Sequence, residues 1–250
     1  MRRLVGVALA AVAAGCANEP ADTEGSCATA QIAALYGGAR EPPWPVAHAQ
    51  QMAIGVLESP TGLALCTATE IAPGWALTAG HCARSDRLWF RSPSSDLGPT
   101  AACSVASHPQ HDALLLKLQG EPELSSCASP IELVREPLSE ELLGGEALIA
   151  GTGLTEDESS GELLFLETRV TALNATEIRV DGHGESGACT GDSGGPLLLR
   201  DSSGKVRVAG VLDRGSADCL GIDVYVRADV LEPWVRDTMA ASTSTRCRSP

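Results

Sequence analysis

Between Cys189 and Pro196 the chain reads Cys-Thr-Gly-Asp-Ser-Gly-Gly-Pro, which sets one serine hydroxyl among glycines. Gly191, Gly194 and Gly195 permit a tight turn and let another main chain come close. Gly191-Asp192-Ser193-Gly194-Gly195 also fits G-x-S-x-G, a pattern that exposes a nucleophilic serine. A serine hydroxyl is a poor nucleophile at neutral pH and needs a base, most often a histidine. The histidines are His48, His81, His108, His111 and His183, so arrangements in which the base follows the serine are excluded. An order of Asp, His, Ser fails as well, because Asp22 is the only aspartate before His81. The order that survives is His, Asp, Ser.

Outward from that stretch, the sequence has the texture of an all-β protein. Short apolar runs recur at Met52 to Leu57, Trp75 to Thr78, Ala113 to Leu118, Glu146 to Gly151, Pro196 to Leu199, Val206 to Leu212 and Ile222 to Val226, with Gly, Pro, Ser and Asp between them. Many short strands with turn punctuation predict a sandwich or barrel. One amphipathic helix is predicted near the end, where Val230, Leu231, Trp234, Val235 and Met239 recur at helical spacing.

The N-terminal residues carry a different message. Met1-Arg2-Arg3 followed by Leu4 to Ala14 is a basic head on an apolar run too short to span a bilayer, so residues 1–15 are expected to be a secretory signal. Residues 16–34 lack an apolar period and read as a flexible tether or pro-segment. Ala13-Ala14-Gly15-Cys16 resembles a bacterial lipobox, in which Cys16 would carry lipid. Membrane contact is then expected only through that anchor, in the cell envelope; a plain signal-peptidase site, giving a secreted protein, fits the same small residues.

Cys27, Cys66, Cys82, Cys103, Cys127, Cys189, Cys219 and Cys247 are an even set, which in an exported chain predicts four disulfides. The absence of a C-x-x-C pair excludes zinc-ribbon and thioredoxin readings. His108-Pro109-Gln110-His111-Asp112 lacks a third spaced ligand, so no metal is expected, and His48 and His183 read as structural or solvated. Across 250 residues, 32 acidic against 18 basic side chains leave a net charge of -14, which argues against binding nucleic acid. Hydrophobic residues at 44% and charged ones at 20% fit a folded chain long enough to bury a core.

Three local strings carry a resemblance. Leu77-Thr78-Ala79-Gly80-His81-Cys82 resembles the histidine motif of the trypsin- and chymotrypsin-like serine proteases, usually TAAHC, with Gly80 in place of the second Ala. His111-Asp112-Ala113-Leu114-Leu115 is similar to the family's aspartate motif, and Cys189 to Pro196 to its serine motif. Gly151-Thr152-Gly153 is similar to its GWG segment.

The resemblance implies a protease domain over residues 35–250 built of two antiparallel six-stranded β-barrels. The first would span about 35–135, the second about 136–232, and a C-terminal helix and tail about 229–250. It implies His81 as base, Asp112 as its orienting carboxylate and Ser193 as nucleophile, with the Gly191 and Ser193 amides as an oxyanion hole. Gly187 would lie at the base of the specificity pocket, in place of the aspartate that selects Arg or Lys. Asp213, Arg214, Gly215 and Asp223 would line the same region, and Asp223 offers a carboxylate for a basic side chain. Asp213 would also bring a second acid toward Asp112, while Arg214 would either offset that charge or compete for Asp223. Leu35-Tyr36-Gly37-Gly38 resembles the family's IVGG start, whose freed ammonium would pair with Asp192.

Disulfides Cys66–Cys82 and Cys189–Cys219 follow from the same resemblance. Cys103–Cys127 with Cys27–Cys247 is the expected remainder, Cys27–Cys127 the alternative. The implied activity is hydrolysis of polypeptides by a monomer without metal or organic cofactor. An inactive protease-fold binding module is the alternative from another class, and an esterase using the same three residues is a third reading.

Overall fold

Short apolar runs broken by turn residues become staves of two barrels. The computed structural model describes residues 35–85, 87–93, 98–119 and 128–242. The expected signal and tether, with Cys16 and Cys27, lie outside the described residues, as do Cys127 and Cys247.

The first barrel contains β1 (Ile54–Glu58), β2 (Ala64–Ala72), β3 (Trp75–Thr78), β4 (Trp89–Arg91), β5 (Thr100–Ser107) and β6 (Leu114–Leu118), closed in the ring order β1-β2-β3-β6-β5-β4. The second contains β7 (Glu146–Gly151), β8 (Leu164–Leu173), β9 (Glu177–Asp181), β10 (Pro196–Arg200), β11 (Val206–Arg214) and β12 (Ile222–Arg227). Its ring order, β7-β8-β9-β12-β11-β10, repeats that of the first. Among the described residues every pairing between these strands is antiparallel, and each ring closes on itself without an open edge. The fold is therefore the expected pair of six-stranded barrels.

Each barrel has its own core. Met52, Leu57, Phe90, Leu114 and Leu116 fill the first, while Ile149, Leu164, Val170, Ile178, Leu197 and Tyr225 fill the second. A third cluster, with Leu77, Leu115, Ile131, Leu148, Phe165 and Val211, lies between the barrels. Burying side chains of this size stabilises by roughly 1.5–3 kcal/mol each, and the third cluster fixes one barrel against the other.

Two helices complete the described chain. The short α1 (His48–Gln51) precedes β1. The terminal α2 (Ala228–Ala241) buries Leu231 and Val235 in the inter-barrel cluster, with Trp234 and Met239 packed against it. Half-buried Val230 completes the helical spacing seen in the sequence. At the end of α2 the Lys117 ammonium donates to the Ser242 carbonyl at 2.8 Å, a favourable place for a cation.

β2, β4, β5, β8 and β9 were not marked by the apolar runs. β5 is built largely of Ala, Ser and Thr, and β9, Glu-Ile-Arg-Val-Asp, buries only Ile178 and Val180. They become strands because the ring must close.

Candidate active site

Four segments meet at the seam between the barrels. His81 sits in the 3₁₀ turn Gly80–Cys82 after β3, and Cys82 is pinned to β2 by the Cys66–Cys82 disulfide, whose Cα atoms are 6.1 Å apart. The Asp112 carboxylate accepts twice from that residue: Oδ1 from the His81 backbone N–H at 2.8 Å, and Oδ2 from Nδ1 at 2.6 Å. A carboxylate facing Nδ1 keeps the ring proton there and leaves Nε2 as the basic nitrogen. Gly80 has a steric reason to lack a side chain, since a Cβ there would stand 2.8 Å from Asp112 Oδ1.

Asp112 itself is presented by a tight turn. The His108 N–H donates to the Ala113 carbonyl at 2.9 Å, and Ala113 N–H to the His111 carbonyl at 2.8 Å. Inside the turn, His108 Nδ1 accepts the Gln110 and His111 amides at 3.1 and 3.0 Å. The His108 ring packs on His111 and edge-on to Trp234, and burial, with the neighbouring His111 charge, lowers its pKa. The motif that looked like a weak metal pair is thus a hydrogen-bonded brace for Asp112.

Ser193 is half-buried, and its carbonyl accepts the Thr67 amide from β2 at 2.9 Å. Gly194, at φ +83°, leaves no room for a side chain: a Cβ would lie 2.0 Å from Thr78 Oγ1 and 2.4 Å from the Thr67 carbonyl. Thr67 also donates its hydroxyl to the Gly191 carbonyl at 3.1 Å and accepts the Thr152 amide at 2.9 Å. The Ser193 segment of the second barrel is thereby held beside the strand and turn that carry His81. Sequence reading missed Thr67, because a threonine beside a cysteine carries no signal of an inter-barrel bond, and it gave Thr152 no role beyond its place between two glycines. Among the described residues, neither the Gly191 nor the Ser193 amide is spent on a backbone acceptor.

Asp192 is buried, its Oδ1 accepting from Gly153 at 2.8 Å and Oδ2 from Cys189 at 2.7 Å. Burial pushes this carboxyl up to about 7. A Cβ on Gly151 or Gly153 would fall 2.0 or 2.8 Å from Asp192 side-chain atoms, which explains both glycines. Leu35 is buried in the second barrel's core, and Tyr36 exchanges backbone hydrogen bonds with Gly187 at 3.3 and 3.2 Å. The Leu35–Gly38 segment therefore docks on the stretch that leads into Asp192.

Asp223, on β12, is 1% exposed. Its Oδ2 accepts the Ala188 amide at 2.9 Å, while the buried Oδ1 has no hydrogen-bond partner. A Cβ on Gly215 would stand 2.6 Å from Oδ1, and one on Gly187 would stand 3.3 Å from Oδ2. Gly187, Gly215 and Asp223 thus converge, braced by the Cys189–Cys219 disulfide. Burial pushes the Asp223 carboxyl up to about 7.

Asp213 and Arg214 do not join that group. A ring nitrogen of His81 and carboxylate oxygens of Asp112 and Asp213 lie within 4.8 Å of one another, so Asp213 faces the imidazole and its partner carboxylate. Arg214 pairs with Asp213 and, at 2.7 Å, with Glu177 of β9, which settles its choice: it offsets Asp213 and does not reach for Asp223. The two implied disulfides are both formed. Cys103 is also disulfide-bonded. His48 lies exposed on α1, and His183 is an exposed turn residue.

Comparison with known proteins gives one family. The trypsin family profile matches residues 45–235. The chain is 25% identical over 220 residues to kallikrein 1-related peptidase b27 of Mus musculus, covering 70% of this chain and 81% of the relative. It is 28% identical over 207 residues to granzyme M of Rattus norvegicus, covering 69% and 78%. It is 26% identical over 213 residues to a suppressor of tumorigenicity 14 protein homolog of Bos taurus, covering 69% of this chain but spanning only 25% of that longer protein.

Proposed function

The chain belongs to the trypsin family of serine proteases, and from that premise we propose that it is an active endopeptidase that works through His81, Asp112 and Ser193. The observation that carries this reading is the double bond of Asp112 to His81, at 2.8 and 2.6 Å. With Nδ1 taken up by that carboxylate, Nε2 is the nitrogen left to act as base toward Ser193. His81 takes the Ser193 hydroxyl proton as the oxygen attacks the scissile carbonyl, and returns it to the leaving amine; water then repeats the cycle on the acyl-enzyme. The Gly191 and Ser193 amides, free of backbone acceptors, receive the negative charge that develops on the carbonyl oxygen.

The substrate side chain enters between Gly187 and Gly215, and the bare Oδ1 of Asp223 selects Arg or Lys. A guanidinium or ammonium there supplies the partner that a buried carboxylate lacks. Two formed disulfides fit a protein exported to an oxidising compartment. A cut after Ala34 would free the Leu35 ammonium to pair with Asp192, whose buried carboxyl otherwise leans on main-chain amides.

Labelling by a fluorophosphonate probe tests the central claim. Labelling of the processed chain that vanishes in Ser193→Ala supports the enzyme. No labelling, in a chain whose N-terminus is shown to be Leu35, supports a binding module on a protease fold.

A further inference from the structure

The enzyme reading leaves one carboxyl without a task. Asp213, at the end of β11, reaches across from the second barrel to the pair formed by His81 and Asp112. Its Oδ2 takes the Arg214 guanidinium, which is itself shared with Glu177, and Glu177 is also held by Arg179 at 2.8 Å. The charged groups facing this spot are therefore three carboxyls (Asp112, Asp213, Glu177) and two guanidiniums (Arg179, Arg214), with the His81 ring at the centre. Two carboxylates within 4.8 Å of each other repel, and the arrangement that relieves them is a single shared proton. Asp112 already accepts two N–H donors from His81, so it keeps the negative charge.

Resting on the protease reading, we propose that Asp213 is a positioning residue: it stays protonated and donates its O–H to the Asp112 carboxylate, holding that carboxylate against the His81 ring. The acid's other oxygen accepts from Arg214, so both ends of the group are satisfied. Burial raises the Asp213 carboxyl and Asp112 adds to the rise, in opposition to Arg214. Asp213 thus acts through Asp112 and touches no reacting atom.

The test compares the parent with Asp213→Asn and Asp213→Ala by two measurements. One is kcat and KM on an arginyl peptide p-nitroanilide; the other is the His81 pKa by NMR titration in a Ser193→Ala background, which needs no activity. Asn keeps an N–H donor and the same net charge as the protonated acid. The proposal expects kcat within about threefold of the parent and a His81 pKa unmoved for Asn, with about a tenfold fall in kcat at constant KM for Ala. A His81 pKa that drops by about one to two units in Asn would show that a full negative charge has been removed from within 5 Å, and would overturn it. So would an Ala variant as fast as the parent, or an Asn variant as slow as Ala. If the parent itself neither turns over nor labels, the enzyme reading fails while the titration still decides the protonation state of Asp213.

Discussion

Asp223→Asn should make the protein relatively more stable at alkaline pH while it destroys discrimination for basic side chains. The Asp223 carboxyl titrates near 7 in the fold, about three units above its ordinary 3.8. At about 1.4 kcal/mol per unit, ionised Asp223 costs on the order of 4 kcal/mol that the protonated form does not. The sign follows from linkage: between pH 4 and 7 the folded chain holds a proton that the unfolded chain has lost, so stability falls as pH rises through that window and the deficit is complete above 7.

Asn mimics the protonated acid at all pH values and still accepts the Ala188 amide, so the stability gap between variant and parent should widen by about 4 kcal/mol from pH 4 to pH 8. Urea unfolding at both pH values reads this gap directly. In the proposed pocket the same ionisation would govern selectivity. The preference for Arg over Leu peptides should rise in the parent through pH 7, as Asp223 charges, and should be low and pH-independent in Asn. A gap that does not change with pH, or an Arg preference that survives in Asn, would refute the assignment of that carboxylate to the pocket.

Gly194→Ala puts a Cβ 2.0 Å from Thr78 Oγ1 in a left-handed backbone, and is expected to cost at least about 3 kcal/mol in urea unfolding and to abolish probe labelling. Gly80→Ala pushes on Asp112 Oδ1 from 2.8 Å, so kcat should fall by tenfold or more at nearly constant KM; unchanged kcat would show that the turn yields freely. His108→Phe removes a ring whose pKa is lowered in the fold. In the parent the unfolded chain takes the proton first as pH falls below 6.5, so stability is lost on acidification; His108→Phe should flatten that loss between pH 7 and 5, at the cost of the two turn amides, and an unchanged pH slope would count against the brace.

Much of the proposed chemistry was legible in the linear sequence because it rests on residue identity and order. A serine with no histidine after it and no partner aspartate before His81 leaves one arrangement, and the strings around His81, Asp112 and Ser193 agree with it. Short apolar runs and turn punctuation sufficed for an all-β chain, and helical spacing for α2. Strands such as β5 and β9 were illegible because their environment, not their own side chains, makes them extended: each closes a ring whose other members carry the apolar pattern.

Tertiary structure alone decided which of several nearby charges pair. The sequence places Asp213, Arg214 and Asp223 within eleven residues on adjacent strands, and either aspartate was an available partner for Arg214. The fold sends Asp213 toward Asp112, Arg214 outward to Glu177 and Asp223 inward beside Gly187. Those directions depend on the register shift between Leu212 and Arg214 and on close approaches across the barrel seam. Interactions between groups far apart in sequence fall off over a few ångströms, and such distances exist only once the two barrels have packed.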